Sequence, residues 1–257
     1  RNTVARNILK AMILNAELAT AENKPVCQSP GYPVVYATLG GSIKLEAEIQ
    51  RVFQKAVIEA TKAGYLRPSM VHPITRENPG DNSGRGVPDV EIEYMPQAGY
   101  AEFIISFKGC GAELANVLKV LTPEQVGKQG MGIKRLILES TIKAGGVPCP
   151  PVAIGVGIGG QIHYAAKLSR RAVSVRKWTD DNPDEELAAL EKELLKMVNS
   201  LGIGPAGIGG DTTSLAVKIE TASTHTAICP VAINFHCWTA RRGGARVYSD
   251  GSVKYLF

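Results

Sequence analysis

Three of the five cysteines in this 257-residue chain sit beside prolines or polar turns rather than inside periodic apolar runs. Cys27 lies in "KPVCQSPG", Cys149 in "VPCPP", and Cys237 follows the apolar "INF" and precedes the basic turn "WTARR". Proline fixes φ and removes a backbone donor, so Cys27 and Cys149 belong on stiff loops outside any ladder. Three thiolates from separate segments are able to ligate an iron–sulfur cluster and leave one iron without a protein ligand. Such an iron is a Lewis acid suited to hydrating or dehydrating a substrate. Spacing alone favours a plainer reading, cysteines that pack in a core. A third reading gives them to a cluster or zinc ion that only ties loops together.

A second candidate lies in "PCPPVAIGVGIGGQIHYAAKL". Gly155, Gly157 and Gly160 fit G-x-G-x-x-G between a possible strand and a possible helix, and Asp180 follows about 20 residues on, where a ribose-binding acid is expected. This makes a nucleotide-dependent oxidoreductase the rival enzyme. The run stands mid-chain without a series of parallel units around it, so a glycine segment packed closely against another backbone is the favoured reading.

Elements that would carry these residues can be read from periodicity. Apolar residues at helical spacing fill 4–21, and a second helix is expected over 42–63, where Ile49, Val52, Phe53, Ala56, Val57 and Ala60 form one stripe and Gly64 closes it. "VEIEY" alternates like a half-buried strand, and with "YAEFIISFKG" it reads as an antiparallel hairpin. A helix starts at Asn182, with Pro183 in its first turn and Glu185 completing the cap. Leu187, Leu190, Leu194, Val198 and Leu201 line one of its faces, and Gly202 ends it. "SLAVKIE" and "CPVAINF" are strands, and "ARVYSDGSVKY" is a hairpin turned at Asp250-Gly251. The expected class is α/β, with mixed, largely antiparallel sheets flanked by helices in a single domain spanning 1–257.

Composition narrows the function classes. No uncharged apolar run approaches the roughly 20 residues of a membrane span, and the first residues lack a secretory apolar region, so a cytoplasmic protein without membrane association is expected. The net charge is +5, but basic residues alternate with acids along the chain, which argues against a nucleic-acid partner. A basic balance also suits small dicarboxylates. An odd cysteine count with no secretory signal and no C-x-x-C spacing argues against a disulfide framework.

The motifs "PVCQSPG", "LRPSMVHPITREN", "KGCGAELANVLKVLTP", "CPPVAIGVGIGG", "SLGIGPAGIGGDTT" and "HTAICPVAINFHCWTARR" together resemble the alpha subunit of class I, iron–sulfur-dependent fumarate hydratases and the related tartrate dehydratases. The resemblance runs over nearly the whole chain in the right order. It implies a [4Fe-4S] cluster held by Cys27, Cys149 and Cys237, which occupy the places of the family's three cluster cysteines. It also implies that Gln28 and Arg67 hold a substrate carboxylate, a task for which a guanidinium fork suits the planar dianion. Gly109 and Cys110 fall in the Gly-rich segment whose backbone N–H groups face the substrate, and His225, in "STHT", matches a histidine near the site. Gln28, Ser29 and His225 are the candidate catalytic residues.

Ser29 and Pro30 stand where the family carries Asp and Thr. That aspartate is an acid near the leaving hydroxyl, and a serine alkoxide has far too high a pKa to replace it directly. Cys110 and Cys229 match no ligand position and are read as packing residues. The implied reaction is reversible hydration of a C4 dicarboxylate, fumarate to (S)-malate first, with tartrate or mesaconate-type acids as alternatives. The family's base, a threonine, comes from a second domain or a separate beta subunit. The resemblance therefore implies an α2β2 assembly in which this chain is inactive alone.

Overall fold

The computed structural model describes residues 3–27, 29, 31–44 and 48–256. The chain divides into two compact units, one made of residues 1–15 and 110–238, the other of residues 16–109 and 239–257. Each has its own mixed sheet, in keeping with the expected α/β class. Among the described residues no helix is long and apolar enough to cross a membrane.

The first unit is built on a four-stranded sheet of β4 (Val117–Leu121), β5 (Val152–Gly159), β6 (Ser214–Ala222) and β7 (Cys229–His236), in the order β4-β7-β5-β6. β7 runs antiparallel to both β4 and β5, whereas β5 and β6 are parallel. Parallel neighbours need a crossover, here α6 (Ile162–Ser174) followed by α7 (Glu185–Ser200). Strand alternation sends Ile154, Val156, Val217, Ile219, Ile233 and Phe235 to one face. There they bury against Ile133 and Ile137 of α5 (Met131–Ala144) and Leu194 and Val198 of α7.

The opposite face is lined by small residues. A Cβ on Gly155 would fall on the Ser169 carbonyl, and one on Gly157 on the Ala165 carbonyl, so α6 lies directly on the strand backbone. The glycine pattern serves close helix–sheet packing, as favoured above. Asp180 is engaged elsewhere. It pairs with Arg176 at 2.9 Å and with Lys218 at 2.9 Å.

That pairing belongs to a buried network covering the outer edge of β6. Arg176 also meets Glu191 at 2.7 Å. The Glu191 carboxylate accepts from the Ile219 N–H at 2.8 Å, while Asn182 donates to the Ile219 carbonyl at 3.0 Å. Backbone groups that an edge strand would leave open are thereby satisfied. The α7 stripe packs as expected, but its cap is Asp184, whose carboxylate accepts from the N–H groups of Glu186 and Leu187, and the helix begins at Glu185. The short carboxylate of Asp184 reaches the N2 and N3 donors, which settles the start three residues later than the sequence reading.

The second unit holds a five-stranded sheet of β1 (Tyr32–Gly40), β2 (Asp89–Met95), β3 (Tyr100–Lys108), β8 (Arg242–Tyr248) and β9 (Val253–Tyr255), in the order β2-β1-β3-β8-β9. β2 and β3 are not the expected hairpin. β1 lies between them, parallel to β2 and antiparallel to β3. The reason is burial: Val34, Val35, Tyr36 and Ala37 of β1 are all buried and require neighbours on both sides, whereas β2 exposes Ile92, Glu93 and Tyr94 and suits an edge. The β8–β9 hairpin forms as read. α2 (Ile49–Lys62) starts later than the expected 42–63 and sets Phe53 against Phe103, ring centroids 5.4 Å apart. Residues 45–47 of that expected helix lie outside the described residues. α1 (Thr3–Ala21) matches the first helix read from the sequence.

Three substitutions in the first unit test these pairings by stability. Glu191→Ala removes one partner of a buried ionic network and is expected to cost about 3–5 kcal/mol in denaturant melts. Lys134→Ala, which breaks the more exposed Lys134–Glu193 pair, is expected to cost under about 1 kcal/mol. For Asp180, burial raises the carboxyl pKa, but hydrogen bonds and charge from Arg176 and Lys218 outweigh it and hold the group below the ordinary aspartate range. A depressed folded pKa contributes stability above the unfolded value, about 3.9, and loses it as pH falls through the folded value. Asp180→Asn should therefore lower stability at neutral pH and flatten its fall below pH about 4.

Candidate functional site

In the first unit, strand register decides which thiols share an end of the sheet. Ala153 of β5 pairs with His236 of β7, so Cys237 stands one position beyond that pair, level with the start of β5, and Cys149 lies three residues before Val152. The two cysteines belong to the same sheet end. Cys149 is exposed and holds φ at 56°, with its N–H donating to the Gly146 carbonyl at 3.1 Å. A non-glycine residue in this left-handed region is uncommon and is kept there only by its surroundings. Cys237 is buried, next to the fully buried His236, whose ring packs edge-on against Trp178 at 5.5 Å.

Cys110 opens α3 (Cys110–Leu114) at this same end. A Cβ on Gly111 would fall on the Val147 carbonyl, which sets the start of α3 against the loop leading to Cys149. The Asn116 side chain continues the attachment, accepting from the Phe235 N–H at 3.0 Å. Cys110 is exposed, so the packing role read for it does not hold. Position explains this: it is the first residue of a short helix whose next residue, not its own side chain, makes the close contact. Cys229 does pack, half-buried at the far end of β7 against the main core, and burial pushes its thiol pKa up.

His225 is at that far end too. It sits in the loop from β6 to β7, beside a cavity of about 460 Å³ lined by Gly160, His163, Thr224 and others. Its Nδ1 accepts from the Ala227 N–H at 3.2 Å. β6 runs parallel to β5 and ends where β5 ends, so the eight residues of β5 separate His225 from the Cys149 end, about 25 Å at strand rise. The structure does not bring His225 together with Cys149 and Cys237.

In the second unit, another set of strand ends converges. Cys27 and Ser29 precede β1, Gly109 follows β3, and Arg241 precedes β8. Gly31 has φ of 73°, and a Cβ there would fall on the Lys108 carbonyl, so the chain at Gly31 runs directly against the Lys108–Gly109 backbone. Arg241 donates from Nη1 to the Cys27 carbonyl at 2.7 Å, and its own carbonyl accepts from the Phe107 N–H at 3.0 Å. Its Nε is buried with no hydrogen-bond partner among the described residues. Cys27 and Ser29 are half-buried. Gln28 lies outside the described residues.

Arg67 is exposed, on the long loop between α2 and β2. Its backbone is fixed by Asn82, a buried residue at φ of 60°. Asn82 donates to the Arg67 carbonyl at 3.1 Å and to the Thr61 hydroxyl at 2.9 Å, and accepts from the Ser69 N–H at 2.7 Å. The same loop is tied to β1 by the Tyr32 hydroxyl, which donates to the Gly86 carbonyl.

Sequence reasoning passed over Arg241, Lys108 and Asn82. Arg241 lay in view, four residues after Cys237 in the quoted "HCWTARR". Lys108, 2 % exposed, was also accessible: Ile104, Ser106 and Lys108 share one buried phase of β3. Asn82, in "GDNSG", carries no signal that separates it from an ordinary turn asparagine.

The thiols fit an iron–sulfur group in donor type and in setting. None of the five is in a disulfide, Cys149 and Cys237 share one sheet end, and the backbone carbonyl of Cys27, not its thiol, accepts from the Arg241 guanidinium. Among the described residues, no three His, Cys, Asp or Glu side chains form a group able to hold a metal ion by themselves.

Comparison with known proteins agrees with this chemistry. A family described as fumarate hydratase (fumerase) matches residues 1–246. The chain is 42% identical over 254 residues to a Methanocaldococcus jannaschii protein provisionally named L(+)-tartrate dehydratase subunit alpha, covering 97% of this chain and 87% of that one. It is 34% identical over 255 residues to the L(+)-tartrate dehydratase subunit alpha of Escherichia coli, and equally to that of Shigella boydii, covering 99% of this chain and 83% of each relative. With a match over nearly its whole length, the chain belongs to the fumarate hydratase (fumerase) family of hydro-lyases.

Proposed function

We propose that this chain is the alpha subunit of an iron–sulfur hydro-lyase that dehydrates a 2-hydroxy C4 dicarboxylate, with L(+)-tartrate as its first substrate and malate/fumarate as the second. The whole-length similarity to alpha subunits named for tartrate carries the substrate reading. All these acids present the same hydroxyacid edge. Tartrate adds a hydroxyl, and Ser29, where the family's acid would stand, presents a neutral polar wall to it.

Cys27, Cys149 and Cys237 would hold a [4Fe-4S] cluster as thiolates. When bound, such a cluster supplies a Lewis-acidic iron for the substrate hydroxyl. The chain's own residues would do the rest of the binding. The Arg67 guanidinium grips one substrate carboxylate in a two-point fork, with its loop held by Asn82 so that little ordering remains to be done on binding. Gln28 donates to the same carboxylate, and the Gly109 N–H lies on the segment that faces the substrate. Ser29 hydrogen-bonds but does not deliver a proton, so the acid and the C3 base come from the beta subunit, in an α2β2 assembly. The cytoplasm, with its reducing poise, suits cysteines kept as free thiolates.

Anaerobic reconstitution of the chain with iron and sulfide tests the ligand set. Cys149→Ser and Cys237→Ser should each lose the broad visible absorption and most of the bound iron, while Cys229→Ser keeps both. Full absorption in Cys149→Ser would exclude that residue as a ligand. In the complex with its partner chain, Arg67→Lys is expected to raise KM for tartrate and malate by about tenfold or more, since one bidentate charge-assisted pair is replaced by a point contact. Arg241→Ala should speed alkylation of Cys27 in the metal-free chain, followed by peptide mass spectrometry, with Cys229 unchanged.

A further inference from the structure

One buried donor in the second unit lacks an acceptor among the described residues. Arg241 is half-buried just before β8, and its Nε–H is enclosed without a hydrogen-bond partner. A buried N–H left in this way costs free energy comparable to a lost hydrogen bond, so native folds seldom keep one without a use. The fold nevertheless fixes this residue firmly. Its Nη1 donates to the Cys27 carbonyl at 2.7 Å, its own carbonyl accepts from the Phe107 N–H at 3.0 Å, and the residue before it, Ala240, holds φ at 38°. A non-glycine residue at positive φ is strained backbone that its surroundings must maintain, and such strain gathers where chemistry is placed.

The shape of the guanidinium says what the donor serves. Its N–H groups leave one rigid plane in fixed, different directions, so an arginine that spends Nη1 on a carbonyl can hold a second acceptor through Nε without moving. Because Nε is enclosed, that acceptor comes from the loop itself and not from solvent. Cys27 is the residue whose carbonyl Arg241 already holds, and its sulfur is the acceptor that changes character. A neutral thiol accepts weakly, whereas a thiolate accepts a charge-assisted hydrogen bond. Hydrogen bonds to the sulfurs of a cluster set its reduction potential, and outer-shell partners of metal ligands set metal affinity.

We propose that Arg241 is a positioning residue for the metal centre: Nη1 seats the Cys27 loop, and the buried Nε–H donates to the Cys27 thiolate when that sulfur binds iron. The proposal rests on the reading of Cys27 as a cluster ligand.

Variants of the full chain, purified with its partner chain and loaded anaerobically with iron and sulfide, separate the two bonds. Arg241→Lys keeps a cation long enough for the Cys27 carbonyl but has carbon in the place of Nε. Arg241→Gln has an amide nitrogen in that place without the charge, and Arg241→Met, of similar length, has neither. The readouts are the reduction midpoint, iron affinity by competition with a chelator, and the rate of Cys27 alkylation in the metal-free protein. Arg241→Lys should lower the midpoint and weaken iron binding about tenfold or more, with alkylation as in the unsubstituted chain. Arg241→Gln and Arg241→Met should both alkylate faster, and Arg241→Gln should keep the higher midpoint and the tighter iron of the two. An unchanged midpoint in Arg241→Lys, or equal midpoints in Arg241→Gln and Arg241→Met, would overturn the inference. So would weaker iron binding in Arg241→Lys that comes with faster alkylation, the mark of loop support alone. An unsubstituted chain that takes up no cluster would overturn the ligand reading, and the inference with it.

Discussion

The antiparallel register of β5 and β7 is the constraint on which the first unit depends. Pairing Ala153 with His236 fixes which loops share an end of the sheet. Cys149 and Cys237 fall at one end, Cys229 and the His225 loop at the other. A one-residue slip of β5 against β7 would turn Ile154 and Val156 out of the core while Ile233 and Phe235 stayed in it, so the core itself holds the thiol positions. Reactive groups are thus placed by hydrophobic burial some distance away, and not by contacts of their own.

The same economy operates in the second unit through backbone approach. Gly31 against the Lys108 carbonyl, and the Arg241 guanidinium against the Cys27 carbonyl, hold this stretch through its backbone. Any side chain at position 31 would collide and would also be strained at its positive φ. Asn82 does the same for the Arg67 backbone, satisfying four backbone or hydroxyl groups from one buried amide. Both loops are thus stiffened from beneath.

Elements with a strong local signal were legible in the sequence. α1, the leucine face of α7 and the β8–β9 hairpin follow from periodicity and an Asp-Gly turn, both properties of neighbours in the chain. What failed was non-local. Nothing near residues 90–108 announces that β1, some fifty residues earlier, separates β2 from β3; that order is set by which strand must be buried on both sides. The candidate site divides in the same way. The cysteines and Arg67 were nominated by residue type and motif wording, whereas the separation of His225 from Cys149 required the direction of β6, and Asn82 acts through a fold-dependent contact that no spacing encodes.

The glycine string after Cys149 shows how one pattern admits two physical causes. A dinucleotide loop uses glycines so that a pyrophosphate can approach the backbone at a helix N-terminus. Here Gly155 and Gly157 lie within the strand, where α6 comes down on them, and the acid that would take a ribose is neutralised by Arg176 and Lys218 at the sheet edge. Both features of the fingerprint are consumed by packing. The tight α6 contact in turn seats β5 between β7 and β6, which is the arrangement that brings Cys149 to the Cys237 end. Glycines that would otherwise suggest a cofactor of their own therefore act here on the position of a thiol.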